Sequence, residues 1–221
     1  MIKSILWPAV MGILIMVIMI GGTICLVGTD YWPGWVFGIT FSIFYAVTIY
    51  MFHDKPAFVK QRFNFHGLIW WDKILLAVYG VTFIAVFIVI IADVQNKWTG
   101  EIPLAAYILN YLLFLFSLGL TNWAKWTNAF FATVVKIQKG HRVVQSGPYR
   151  YVRHPGYLAG LLMFMTIGPV LGSLWALVPG AIACTGVIIR TYLEDKTLQK
   201  ELPGYMAYAK KVRYRLLPGV W

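Results

Sequence analysis

The sequence predicts an all-α integral membrane protein with about six hydrophobic helices, the last two forming a short hairpin. Three observations carry that prediction. The chain is 60% hydrophobic and 12% charged, with mean hydropathy +0.70, whereas a soluble domain is about half apolar and a quarter charged. Its apolar runs reach the roughly 20 residues that a helix needs to cross about 30 Å of hydrocarbon. Its lysines and arginines fall almost entirely on alternate sides of those runs.

The first run, Ile5 to Val27, contains no charged residue. It is too long for a signal-peptide core and lacks a small-residue cleavage pattern, so it reads as an uncleaved anchor. Trp35 to Phe52 follows, closed by His53-Asp54-Lys55-Pro56. Ile74 to Ala92 lies between Asp72-Lys73 and Asp93, and Leu104 to about Trp123 makes the fourth span. Tyr157 to Ile189 is uncharged throughout and too long for one ordinary span; Gly168-Pro169 and Gly172-Ser173 near its middle divide it into two helices and a tight turn. Residues 1–127 thus form a region of four spans. Residues 128–221 form a second region with the hairpin and a C-terminal tail.

With the N-terminus inside, all of the 19 lysines and arginines except Lys97 fall on the cytoplasmic side. Both termini are then cytoplasmic in a multi-pass protein. The net charge of +11 reflects this topology and attraction to anionic lipid head groups, which leaves nucleic acid without a basic soluble face to bind. Trp32, Trp35, Trp70, Trp71, Trp98 and Trp123 stand at span ends, where an indole suits the head-group layer. Cys25 and Cys184 lie far apart in apolar runs, offering neither a disulfide framework nor metal-ligand spacing. No metal is expected.

His53, His66, His141 and His154 all fall on the predicted cytoplasmic side. The spans carry no Asp, Glu, Lys or Arg away from their ends, which disfavours an ion-coupled transporter. Polar residues gather in two stretches. Gly140 to Tyr157 interleaves glycines, prolines, tyrosines, arginines and histidines and runs straight into a membrane helix. Such a loop leaves backbone amides free near the bilayer surface. Arg190 to Glu194-Asp195 marks where the last hydrophobic helix emerges, with Arg190 and Glu194 on one helical face. Taken singly, His154 reads as a structural loop residue, Arg190 and Glu194 as a surface ion pair, and Arg142, Arg150 and Arg153 as head-group contacts. Together they indicate a cytoplasm-facing polar pocket built by the C-terminal half.

The two stretches together resemble the isoprenylcysteine carboxyl methyltransferase family of membrane-embedded methyltransferases. The likeness rests on Gly140-His141, Val143-Val144, Gly147-Pro148-Tyr149 and Arg153-His154-Pro155-Gly156-Tyr157, then Arg190, Glu194-Asp195, Leu198 and Gly204 to Tyr208. It spans roughly Asn128 to Trp221, with Asp195 where the family has Glu and Val143 where it commonly has Leu.

The resemblance implies an enzyme that binds S-adenosylmethionine and methylates a lipophilic acceptor, a prenylcysteine-like carboxylate or another lipid or isoprenoid, at the cytoplasmic interface. His141 and Val144 would line the adenosine side, and Tyr149 would pack against the cofactor. His154, Pro155, Gly156 and Tyr157 would wrap its methionine and ribose portions. Glu194 would bond the cofactor, and Arg190 would orient the substrate, through a bidentate contact if the acceptor is a carboxylate. The acceptor would arrive from the bilayer and the cofactor from the cytosol. The alternative enzyme is an NADPH-dependent membrane reductase of sterol-like or enone lipids, with Arg142, Arg150 and Arg153 on the cofactor phosphates; a non-catalytic scaffold or small transporter is the alternative outside enzymes.

Overall fold

The structure is a computed structural model that describes residues 14, 17, 21–22, 24–55, 58–59 and 67–221. Most of the expected first span, together with His66, lies outside the described residues. Six α-helices and one 3-10 turn have defined bounds: α1 (Trp32–Phe52), α2 (Trp70–Asn96), α3 (Leu104–Thr127), the 3-10 turn Gly147–Arg150, α4 (Pro155–Val170), α5 (Leu177–Glu201) and α6 (Tyr205–Lys211). Residues 24–27 are also helical, and no strand occurs among the described residues. Four helices, α1, α2, α3 and α5, are long and apolar enough to cross a membrane, while α4 is a shorter apolar helix.

The sequence dictates these bounds locally. Pro33 at the start of α1 and Pro155 at the start of α4 occupy first-turn positions that need no backbone donor. Pro169 ends α4: Leu171 donates back to Ile167 and Gly168, and Gly172 turns the chain at φ +78°. The hairpin is asymmetric rather than short in both arms. Nothing between Ile189 and Glu201 breaks a helix, so α5 continues past the apolar run and stops only before Pro203-Gly204. That extra length carries Arg190, Glu194 and Asp195.

Helix α3 packs along α4, α4 along α5, and α5 along α2, with α1 touching α3. The main core lies towards the hairpin turn, where Phe37, Val86, Ile90, Phe114, Ile167 and Val170 meet. Tyr31 donates to the Leu171 carbonyl there, and Tyr107 donates to Val170 O at 2.9 Å. Asp93, almost wholly buried, accepts from the Thr99 amide at 2.7 Å and from the Ser173 hydroxyl at 2.5 Å, tying the α2–α3 loop to the hairpin turn. A carboxylate buried this deeply needs such donors. Outward faces are apolar, as at Ile39, Ile84, Ile88, Leu104 and Phe116, which suits hydrocarbon. Exposed tryptophans stand at both ends, Trp32, Trp98 and Trp175 near the hairpin turn and Trp70, Trp123 and Trp126 opposite.

The α4–α5 contact depends on Gly180. A Cβ there would stand 2.7 Å from the Phe164 carbonyl oxygen, a backbone atom that cannot swing away. Gly180→Val should therefore destabilise the hairpin by about 1–3 kcal/mol, read as a lower melting temperature in detergent. Gly160→Ala, where a Cβ meets nothing within 4 Å, should leave it unchanged or raised.

Candidate functional site

At the end of the bundle away from the hairpin turn, a cavity of about 240 Å³ opens among three structural pieces. One wall is the irregular segment 128–144. A second is the 3-10 turn and the start of α4, contributing Tyr149, His154, Gly156 and Tyr157. The third is the outer part of α5 with α6, contributing Arg190, Glu194, Leu198, Tyr205 and Tyr208. The volume exceeds the ~150 Å³ cavity that admits benzene, so a small organic ligand is in range.

Asp195 fastens these pieces together. Its carboxylate is fully buried and accepts a two-pronged contact from Arg153, Nε to Oδ1 at 2.8 Å and Nη2 to Oδ2 at 3.0 Å. Oδ1 also receives the Tyr205 hydroxyl at 2.9 Å and lies 3.2 Å from His154 Nε2. Oδ2 takes Gln199 at 2.7 Å and Arg215 Nε at 2.9 Å. Arg153 reaches on to the carbonyls of Val212 and Arg213 at 2.8 Å, while the amides of Arg153 and His154 donate to Tyr214 O and Arg215 O. One carboxylate thus joins the Arg153-His154 turn, α5, α6 and the tail.

Glu194, one residue earlier, is rotated about 100° around the helix and faces the cavity. It accepts the Tyr157 hydroxyl and is only half-buried. Arg190 also lines the cavity but is 6% exposed, and its partner is Asp72 at the start of α2 rather than Glu194. Nη2 lies 2.8 Å from Asp72 Oδ1 and donates to Thr133 O at 2.6 Å. The rings of Tyr157 and Tyr79 flank the guanidinium, with centroids 5.5 and 5.8 Å from its carbon.

Several buried polar atoms around this cavity lack a hydrogen-bond partner: Arg190 Nε, His141 Nδ1, Gln138 Oε1 and, on α2, Tyr79 Oη and Asp72 Oδ1, the last held to Arg190 Nη2 by charge alone. Native interiors satisfy nearly all such groups, so their concentration here marks a place where a ligand would complete the bonding. His141 stacks on Phe130, centroids 4.6 Å apart and planes 26° apart. Burial holds its imidazole below the usual histidine value, against an opposing pull from Glu194, so the ring is neutral at physiological pH. Burial also pushes the Tyr149 phenol up, and its oxygen accepts from Asn128 at 3.2 Å.

Of the residues singled out in the sequence, His141, Val144, Tyr149, His154, Gly156, Tyr157, Glu194 and Arg190 line this one cavity. Pro155 does not line it, because its ring is spent inside the fold as the first residue of α4. Taken singly, Arg190 and Glu194 read as a surface ion pair or a snorkelling anchor; in the structure Arg190 instead pairs with the buried Asp72. Sequence reasoning missed the wall 130–138, whose Phe-Phe-Ala-Thr-Val-Val run carries no polar signature. It also read Asp72 only as a span boundary. No cluster of three or more His, Cys, Asp or Glu able to hold a metal occurs among the described residues.

Residues 105–203, a little under half of the chain, match the family model of phospholipid methyltransferases. The matched segment runs from α3 through α5 and contains both motif stretches up to Pro203. Comparison with curated proteins finds no match. The stabilities of the two neighbouring acidic residues should differ sharply. Asp195→Ala strands Arg153 and Arg215 and should cost about 3–5 kcal/mol. Glu194→Ala should cost about 1 kcal/mol, both read from thermal unfolding in detergent.

Proposed function

We propose, taking the phospholipid methyltransferase segment as premise, that this chain is a membrane S-adenosylmethionine-dependent methyltransferase whose cofactor occupies the cavity between 128–144, the start of α4 and the outer part of α5. The observation that carries this reading is the convergence of both motif stretches on one cavity bordered by polar atoms without partners. Those residues suit the cofactor chemically. The Phe130–His141 stack offers a flat surface for a purine, and His141 Nδ1 and Gln138 Oε1 offer bonds to its edge. Tyr149 and Gly156 line the passage between, and the missing Cβ at Gly156 leaves room for the Phe131 ring over the start of α4. The Glu194 carboxylate with the Tyr157 ring supplies negative charge and an aromatic face for a cationic ligand.

Bound there, S-adenosylmethionine would supply an electrophilic methyl group on a sulfonium, so the protein's task is alignment and exclusion of water. His154, held by Asp195 and Tyr205, keeps the wall rigid. Arg190 orients a lipophilic acceptor that reaches the cavity from the bilayer. Except for Lys97, the described lysines and arginines lie at the cavity end of the bundle, supporting a cytoplasmic cavity and cytoplasmic termini among anionic lipids.

Two acceptor classes remain in view, a prenylcysteine-like carboxylate and a phospholipid amine. The Arg190 geometry disfavours a two-pronged hold on the carboxylate. Both two-pronged approaches to a guanidinium use Nη2, as Arg153 does with Asp195, and in Arg190 that nitrogen already meets Thr133 O and Asp72. An incoming carboxylate there would meet a second carboxylate. An amine must lose a proton, and Glu194 at the cavity wall is placed to receive it.

Calorimetric titration of the detergent-purified chain with S-adenosylhomocysteine should show micromolar binding, weakened at least tenfold by Glu194→Ala. Silence in a folded sample that instead responds to NADPH would overturn the reading in favour of a reductase.

A further inference from the structure

We propose that Asp72, on α2 and outside the segment that matches the family model, is a positioning residue for Arg190: paired by charge with Nη2 and bonded to the cavity wall at Val135, it fixes how the guanidinium stands beside the acceptor. This rests on the methyltransferase reading above.

Asp72 is fully buried in the first turn of α2, where the helix N-terminus favours a carboxylate. Its two oxygens have different tasks. Oδ1 lies 2.8 Å from Arg190 Nη2, and Oδ2 accepts the Val135 amide at 3.0 Å. Val135 belongs to the cavity wall, as does Thr133, whose carbonyl is the other Nη2 partner. One carboxylate therefore sets both the roll of the guanidinium and the position of the wall beside it.

Tyr79 lies seven residues further along α2, on the same helical face. Its ring packs beside the guanidinium and against Gly186, where a Cβ would stand 2.9 Å from the ring. The side chain of Arg190 is thus held at Nη2 and flanked by two rings. Its Nε is buried without a partner. Losing a buried donor in this way costs about 1–3 kcal/mol unless something accepts from it, and the cavity that Arg190 lines is where an acceptor headgroup would lie. The N-terminal half of the molecule is on this account part of the reaction site rather than a membrane anchor alone.

The test uses the full chain labelled with ¹⁵N-arginine in lipid–detergent micelles. In the wild type, hindered rotation should give a resolved, slowly exchanging guanidinium signal that Arg190→Lys removes. Asp72→Asn should collapse that signal to the averaged position while S-adenosylhomocysteine binding stays within about twofold. Where phosphatidylethanolamine vesicles or S-farnesylcysteine accept methyl groups, Asp72→Asn should lower kcat ten- to a hundredfold with little change in the cofactor KM. In the Arg190→Lys background it should add little. A freely rotating Arg190 in the wild type overturns the proposal even if Asp72→Asn fails to fold, as does a signal that persists in a folded Asp72→Asn. Loss of S-adenosylhomocysteine binding by the wild type would instead overturn the underlying methyltransferase reading.

Discussion

The buried carboxylate of Asp195 is the constraint on which the cavity depends. Ionised and without solvent, it is tolerable only if surrounded by donors, and Arg153, Tyr205, Gln199 and Arg215 supply them with His154 alongside. Because those donors come from separated stretches of chain, satisfying one charge also closes the tail and α6 over the start of α4. The apolar cluster of Leu202, Tyr205, Tyr208 and Val212 then completes the cap, with Tyr208 donating to Tyr149 O at 2.7 Å.

A second buried charge acts on the other side of the cavity. The Asp72–Arg190 pair joins α2 to α5 and draws the 130–138 wall onto both. The two pairs differ in what remains open. Arg153 presents its full fork to Asp195, which suits a structural joint. Arg190 retains an unpaired Nε beside the cavity, which suits a ligand contact. Neighbouring residues on α5 divide likewise: Asp195 turns into the protein, and Glu194 turns to the cavity with Tyr157. The helical rotation between successive residues separates a carboxylate spent inside the protein from one that lines the cavity across a single peptide bond.

This division explains what the sequence could and could not reveal. Hydropathy located α1, α2 and α3 within a few residues, because hydrocarbon imposes length and charge exclusion that act locally. Gly168-Pro169 and Gly172 likewise announced the hairpin. The length of α5 beyond Ile189 was hidden, since its outer part is amphipathic and sits against α6 and the tail rather than lipid. Motif residues such as His141 and Tyr157 were legible because glycines, prolines and aromatics there are unusual in a membrane boundary. The wall 130–138 was not: its position is set by distant partners such as Asp72, and no local pattern in Phe130 to Gln138 records them.

The proposed function requires one cavity, lying between these two charge pairs, to receive the cofactor. Backbone amide exchange of the intact protein with and without saturating S-adenosylhomocysteine tests it directly. Exchange should slow in residues 128–144 and 153–157, and remain unchanged in the loops 97–103 and 171–176 at the opposite end. Protection confined to those opposite loops, or unaltered exchange in 128–144 at saturation, would contradict it.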